Sequence, residues 1–159
     1  MQYRVGTGAD AHALVDGRAL VLGGVNIPHP TGLAGHSDGD ALSHAVIDAL
    51  LGAAGAGDIG AHFPPGDPSL AGISSLILLE RTAVALADGG WCIANVDATM
   101  LAQRPRLSPH VPEMRQNIAT ALSVEQSQVS VKATTTDYLG FTGREEGIAA
   151  LAVAMLWRP

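Results

Sequence analysis

The sequence predicts a compact protein of mixed α/β or α+β class, on three observations. Apolar residues alternate in some segments and recur at helical spacing in others. The 159 residues are 47% hydrophobic but 4% aromatic, so the core must be built mainly from Ala, Val, Leu and Ile. Nineteen glycines mark many tight turns. This length suits one domain over residues 1–159, and no repeat, low-complexity segment or linker divides it.

Residues 2–9 read as a strand, and "ALVLGGVNIP" (19–28) reads as two short strands broken at Gly23-Gly24, a hairpin. The Gly, Pro, Ser and Asp of "HPTGLAGHSDG" predict a loop, with Ser37 or Asp38 capping the helix that follows. In "DALSHAVIDALLGAA" the apolar Leu42, Ala45, Val46, Ala49, Leu50 and Ala53 share one helical face. Asp40, His44 and Asp48 form an i, i+4, i+8 stripe on another. Residues 55–72 carry too much Gly and Pro for a regular element and predict a long loop. A second amphipathic helix spans 73–88 and ends at Gly89-Gly90.

"WCIANVDATMLA" (91–102) then reads as a strand. Pro105, Pro109 and Pro112 punctuate a loop into a third helix, with Val111, Met114, Ile118 and Leu122 on one side. In "SQVSVKATTTD" (127–137), Val129, Val131 and Ala133 alternate with Ser130, Lys132 and Thr134, as in a half-buried strand. The last apolar segment, "GIAALAVAMLW" (147–157), fits a buried strand or a helix equally.

The formal net charge of −6 argues against nonspecific nucleic-acid binding, which rests on an excess of Lys and Arg. Between Ala19 and Glu80 there is no Lys or Arg, while Asp38, Asp40, Asp48, Asp58, Asp67 and Glu80 fall there; such a region attracts cations. Arg104, Arg106, Arg115, Lys132 and Arg144 lie in the second half, which could meet an anion. The single cysteine, Cys92, excludes an internal disulfide and a Cys-rich zinc cluster, and its apolar neighbours predict a core position. Arg4 and Asp10 interrupt any secretory leader, and no apolar run reaches the roughly 18 residues of a membrane span. The expectation is a soluble cytoplasmic protein with no membrane partner.

Three segments carry chemistry. In "GADAHA" (8–13), Asp10 and His12 stand two positions apart, so a strand extending that far presents both on one face. A carboxylate and an imidazole suit Zn²⁺, and catalytic zinc has three protein ligands with a position left for water or substrate. His44 is the candidate third ligand, with Asp40 or Asp48 one turn away to orient its ring. "GHSDGD" (35–40) puts His36, Ser37 and Asp38 at a helix N-terminus, which favours anions, although Ser37, Asp38 and Asp40 also suit capping. "KATTTD" (132–137) sets hydroxyls before Asp137, a pattern that can hold phosphate and a hard cation or simply form an exposed strand face. "GFTGRE" (140–145) adds a turn with Phe141 and Arg144. No Walker-type or dinucleotide-binding glycine motif is present. These residues alone leave three readings: a metal-dependent phosphotransfer enzyme, a phosphohydrolase, or a nucleotide-binding module.

Taken in order, "GADAH", "GGVNIP", "AGHSDGDALSHAVIDALLGAAGAGDIGAHFPPGDP", "NVDATMLAQRPR" and "VKATTTDYLGFTGREEG" narrow the choice. Together they closely resemble the 2-C-methyl-D-erythritol 2,4-cyclodiphosphate synthase family of the non-mevalonate isoprenoid pathway, almost from end to end.

The resemblance implies a two-layer α+β sandwich, a mixed sheet with helices on one face, forming a homotrimer with active sites between subunits. The last segment is then a strand. The implied lyase reaction is attack of the 2-phosphate of 4-diphosphocytidyl-2-C-methyl-D-erythritol 2-phosphate on its own β-phosphorus, giving the cyclic diphosphate and CMP. The family's zinc ligands fall on Asp10, His12 and His44, and a second divalent ion, Mg²⁺ or Mn²⁺, on Asp137. His36 and Thr135 match positions that stabilise the transition state. Asp10, His12, His36, Ser37, Asp58, Ile59, Gly60, Phe63 and Asp67 match the side that binds the erythritol and its phosphates. Ala102, Arg106, Thr134, Thr135, Thr136 and Asp137 match the cytidine diphosphate side, contributed by the neighbouring subunit. Phe141 and Arg144 match positions near the threefold axis, where an isoprenoid diphosphate can sit. Asp137 stands where the family more often has Glu, and Arg106 where Lys is common.

Overall fold

The first strand does not stop at residue 9. In the computed structural model, which describes all of residues 1–159, β1 runs Gln2–Asp16 and carries Asp10 and His12 in its second half. The hairpin follows as β2 (Leu20–Leu22) and β3 (Val25–Ile27). Gly23 and Gly24 form its turn at φ 56° and 70°, the left-handed pair that a two-residue hairpin needs. The loop expected at 29–39 contains a short strand, β4 (Thr31–Leu33), paired antiparallel with the end of β1.

Helix α1 spans Ala41–Ala54; of the three capping candidates Asp40 caps it, its carboxylate accepting the Ser43 N–H at 3.0 Å, and Ser37 and Asp38 do not. The polar stripe expected on α1 is largely inside the protein: Asp40 is fully buried and His44 is 9% exposed. Asp40 turns away from His44 because its two oxygens accept the Gly23 and Gly24 N–H groups, both at 2.9 Å, tying the hairpin turn to the helix start. The stretch 55–72 is not all loop: α2 (Ile59–His62) and a 3₁₀ turn (Pro68–Leu70) form there, capped by Asp58 and Asp67.

Helix α3 (Ser75–Asp88), β5 (Cys92–Leu101), α4 (Val111–Leu122) and β6 (Val129–Thr134) follow as expected to within a few residues. The short α5 (Gly140–Gly143) occupies the "GFTG" turn. The ambiguous last segment is a strand, β7 (Gly147–Arg158), whose Ile148, Ala150, Ala152, Ala154 and Leu156 point into the core. The five-stranded sheet has the order β4-β1-β7-β5-β6, antiparallel except for the parallel β5-β6 pair, and is therefore mixed. Helix α1 packs on β1, β7 and β5, α4 packs on β6, and α3 lies against both helices.

Cys92 is exposed, contrary to the core position expected for it. It opens β5 opposite Trp157, and its side chain borders a surface groove with Trp91, Ile93 and Leu122. The other face of the sheet carries Val5, Leu151 and Val153, at 64%, 53% and 45% exposure.

Candidate active site

Three ligand-type atoms converge where β1 passes α1. Asp10 Oδ2 lies 2.7 Å from His12 Nε2 and 3.0 Å from His44 Nδ1, and the two nitrogens are 3.2 Å apart. No other group of three such side chains comes together in the chain. A tetrahedral zinc ion separates its donors by roughly 3.3 Å, from bonds near 2.0–2.1 Å, so this triangle is close to the size required. One carboxylate and two imidazoles also form a donor set suited to zinc.

The convergence follows from two glycines. A Cβ added to Gly6 would lie 2.2 Å from the Ala49 carbonyl oxygen, and one on Gly8 would lie 2.0 Å from that of Ala45. Only glycine at both positions lets the backbone of α1 rest directly on β1. Ala45, Ala49 and Ala53 keep the helix side equally slim. His44 is thereby brought onto the side chains of Asp10 and His12, which share one face of β1 by the period of two.

Each histidine is held from behind. His12 Nδ1 donates to the Ala34 carbonyl at 2.5 Å, which turns Nε2 toward Asp10. His44 Nε2 lies 2.9 Å from Ser75 Oγ and 3.1 Å from Ser37 Oγ. Neither Asp40 nor Asp48 orients His44: Asp40 caps α1, and Asp48 accepts the Ile59 N–H at 2.7 Å. Ser75 and the Ala34 carbonyl are the site groups that the sequence did not disclose. Serine is a residue type that starts helices, and Ser74 caps α3, but no local pattern discloses that the Ser75 hydroxyl turns inward.

Burial works to raise the Asp10 pKa, but hydrogen bonds from the flanking imidazoles outweigh it and hold the carboxyl well below the usual carboxylate range. The hydrogen bond to Asp10 raises the His12 pKa above its ordinary 6.5, against the opposing effect of burial. The corner therefore attracts positive charge, a proton or a metal.

A cavity of about 220 Å³ opens beside this corner, lined by His12, His36, Ser37, His44, Ile59, Gly60 and Phe63 among others. His36 Nε2 donates to the Asp67 carbonyl at 2.7 Å, tying the 35–38 loop to the 63–67 loop. Asp58 lies outside this cavity and borders an adjoining one with Asp48, Thr7 and Leu151. A larger cleft of about 760 Å³ gathers Ala102, Arg106, Thr134 and Thr135, with His29, Gln103, Arg104 and Glu145. It shares no lining residue with the metal corner's cavity. Thr136 and Asp137 do not line the cleft: Thr136 Oγ1 donates to the Leu139 carbonyl at 2.6 Å, and Asp137 Oδ1 accepts from Thr135 Oγ1 at 3.3 Å. Phe141 is 43% exposed, and Arg144 is bound through two hydrogen bonds to Glu146 at 2.8 and 3.1 Å.

Residues 3–157 match the model of the YgbB family. The chain is 59% identical over 153 residues to a 2-C-methyl-D-erythritol 2,4-cyclodiphosphate synthase of Syntrophomonas wolfei, covering 96% of this chain and 98% of the relative. It is 54% identical over 158 residues to the Ralstonia pickettii protein of that name, covering 99% and 94%. Among solved structures, a Plasmodium falciparum IspF–CDP complex superposes with a TM-score of 0.85 at 34% identity, over 98% of this chain and 96% of that one. A bifunctional IspDF from Campylobacter jejuni superposes with a TM-score of 0.93 at 41% identity, over 98% of this chain and 42% of the longer one.

Proposed function

This chain belongs to the YgbB family, and from that premise we propose how its own residues serve the reaction. Its activity is that of a 2-C-methyl-D-erythritol 2,4-cyclodiphosphate synthase, a lyase of isoprenoid biosynthesis. The observation that carries the mechanism is the meeting of Asp10, His12 and His44 beside a cavity that His36 borders.

Asp10, His12 and His44 would hold Zn²⁺, which when bound would supply Lewis-acid polarisation of a phosphate oxygen. The chemistry is intramolecular phosphoryl transfer from 4-diphosphocytidyl-2-C-methyl-D-erythritol 2-phosphate. An oxygen of the 2-phosphate bonds to the β-phosphorus as the bond to CMP breaks, and water is not a reactant. Such a reaction depends on positioning and on stabilising charge on phosphate oxygens. His36 and Thr135 serve that role by donating to those oxygens. His36 donates its Nε2 proton to the Asp67 carbonyl in the structure, so substrate phosphate and the 63–67 loop compete for one donor. Ser37, Asp58, Ile59, Gly60, Phe63 and Asp67 frame the erythritol side. Asp137 would offer its carboxylate to a second divalent cation, Mg²⁺ or Mn²⁺, of the kind that neutralises phosphate charge.

The 760 Å³ cleft receives the cytidine diphosphate moiety, with Ala102, Arg106, Thr134 and Thr135 in its wall and Thr136 next to it. The metal corner and this cleft share no lining residue, which supports the homotrimer that the family resemblance implies, with each active site completed between subunits. The exposed Val5, Leu151 and Val153 on the open face of the sheet support burial against other copies. An isoprenoid diphosphate on the threefold axis would contact Phe141 and would draw Arg144 from Glu146. We treat residues 1–159 as one domain working in the cytoplasm; no helix is long and apolar enough to cross a membrane.

Phosphorus NMR with the diphosphocytidyl substrate, Zn²⁺ and Mg²⁺ tests this reading. A cyclic diphosphate with CMP is expected. Release of inorganic phosphate would replace the cyclase with a hydrolase, and unchanged substrate on a metal-loaded trimer would leave a binding module.

A further inference from the structure

Behind the metal corner lies a chain of hydrogen bonds whose direction is fixed. Asp38 spans the gap between the 35–40 loop and α3: its Oδ2 accepts the Ser75 backbone N–H at 2.9 Å, and its Oδ1 accepts the Asp40 N–H at 3.1 Å. The Ser75 hydroxyl lies 2.5 Å from that same Oδ1. A carboxylate only accepts, so the single Ser75 hydroxyl proton goes to Asp38. Ser75 Oγ is then left with lone pairs toward His44 Nε2, at 2.9 Å. A hydrogen bond there requires a proton on His44 Nε2, so Nδ1, 3.0 Å from the Asp10 carboxylate, is the nitrogen that gives up its proton when a metal takes that place.

We infer that Ser75 and Asp38 are positioning residues that fix the tautomer of His44, presenting its Nδ1 lone pair to a metal shared with Asp10 and His12. The inference rests on the metal reading proposed above. Ser37 cannot fix the tautomer alone. Its hydroxyl sits 3.1 Å from the same nitrogen and accepts the Gly39 N–H at 3.3 Å, but its own proton is not committed to a carboxylate, so it can donate or accept. Ser75 differs because Asp38 takes its proton. Both Ser75 and the relevant face of His44 are shut off from water, Ser75 completely, so no solvent molecule substitutes for the missing hydroxyl. The arrangement parallels the opposite ligand, where the Ala34 carbonyl commits His12 Nδ1 to donate and leaves Nε2 for the metal. Two histidines are thus set by two different acceptors, one a backbone carbonyl and one a hydroxyl polarised by a carboxylate. Partners of this kind support metal affinity by a factor of about 10–100.

The test uses Ser75→Ala and Asp38→Asn in the full chain, with two readouts. In metal-free protein labelled with ¹⁵N-histidine at alkaline pH, long-range proton–nitrogen spectra distinguish the two tautomers. Wild type is expected to keep a proton on His44 Nε2, and Ser75→Ala to shift the neutral ring toward the Nδ1–H form that donates to Asp10. Zinc affinity, measured against a chromophoric chelator, is expected to fall about 10–100-fold in Ser75→Ala, while the metal-free melting temperature moves by only a few degrees. Ser75→Ala with a single Nε2–H tautomer and wild-type zinc affinity overturns the inference. If Ser75→Ala does not fold, Asp38→Asn decides by the same readouts: its amide cannot accept from both the Ser75 N–H and the Ser75 O–H, so a tautomer mixture supports the relay and an unchanged His44 overturns it. Wild type that binds no zinc overturns the metal reading, and the tautomer spectra still decide the relay.

Discussion

The metal corner and the 134–145 segment are built on opposite principles. Asp10, His12 and His44 sit on the longest strand and the first long helix, and each is held by a second group. The segment from Thr134 to Glu145 is mostly exposed, with Thr142 and Gly143 buried, and its backbone takes positive φ at Asp137, Tyr138 and Glu145. Its hydroxyls and carboxylate bond one another: Thr135 to Asp137, and Thr136 to Thr142. One region is assembled before any ligand arrives, and the other holds its donors in local bonds that a ligand must exchange. Rigid elements place a metal within tenths of an ångström, whereas a loop adapts to a flexible diphosphate.

The contrast predicts where a single substitution is most damaging. His44→Ala removes one of the three proposed metal ligands and is expected to abolish zinc retention and lower turnover by about 10³-fold or more, several kcal/mol of barrier. Metal analysis together with the phosphorus assay checks it. A metal-free His44→Ala enzyme with full activity would make the two regions equivalent and would sink the metal assignment.

Next in size is the packing that delivers His44. Gly8→Ala places a methyl group 2.0 Å from the Ala45 carbonyl oxygen, so α1 must lift from the sheet, at a cost of about 3 kcal/mol. Gly52→Ala is its control on the same helix, because the nearest atom to its added methyl is the Thr7 carbonyl oxygen at 3.7 Å. Gly52→Ala should gain about 0.5–1 kcal/mol through helix propensity. Thermal unfolding is expected to move the two variants in opposite directions, and zinc affinity should fall only in Gly8→Ala. Equal melting temperatures would show that α1 does not depend on the glycine contact.

How much of this was legible in the sequence divides along the same line. Asp10, His12 and His44 could be read because strand and helix periods convert spacing directly into direction. The orienting partner of His44 was misread as Asp40 or Asp48, since helical spacing makes i±4 neighbours plausible and says nothing of a serine 31 residues away. Asp40 was unavailable because the hairpin turn claims its carboxylate, a tertiary demand invisible to local pattern. β7 was ambiguous because Leu151 and Val153 on its open face are as apolar as Ile148 and Leu156 on the buried one, which hides the period of two. Cys92 was misplaced for the related reason that apolar neighbours do not reveal which side of a strand end faces out. The split between corner and cleft was foreshadowed by charge, the Lys- and Arg-free stretch 19–80 against the arginines of the second half, but its placement between subunits came from the family resemblance alone.

A smaller effect sharpens the electrostatic side of the comparison. In metal-free protein the His12 pKa is raised and the Asp10 pKa lowered. The raised His12 value contributes stability that is full below the unfolded value of 6.5 and is lost as pH rises through the folded value. The lowered Asp10 value contributes stability present above 3.8 and lost as pH falls through its folded value. The pair is therefore at full strength between roughly pH 4 and 6.5. Zinc held at this corner as proposed would compete with the same proton, so its stabilisation is expected to grow as pH rises. Melting temperature from pH 6 to 8.5 should fall through this pair in metal-free protein, and the increment from added zinc should widen over that range. A zinc increment that is constant with pH would mean that no proton is displaced.

The smallest effect is expected at Asp137. Its carboxylate is exposed and accepts only from the neighbouring Thr135, so nothing in the fold fixes its reach. Asp137→Glu adds one methylene and should bring the carboxylate nearer a diphosphate-bound cation. The backbone opposes the change: φ at Asp137 is 49°, a left-handed value that Asp tolerates better than Glu because its short side chain can bond locally. The two influences nearly cancel in stability, while only the first touches the cation. Asp137→Glu is therefore expected to lower the Mg²⁺ concentration for half-maximal rate by about two- to fivefold, roughly 0.4–1 kcal/mol, with zinc content and melting temperature little changed. Steady-state rates across a Mg²⁺ titration measure this. An unchanged midpoint would show that the Asp137 carboxylate does not reach the cation at either length, and would move the second ion to the substrate phosphates alone.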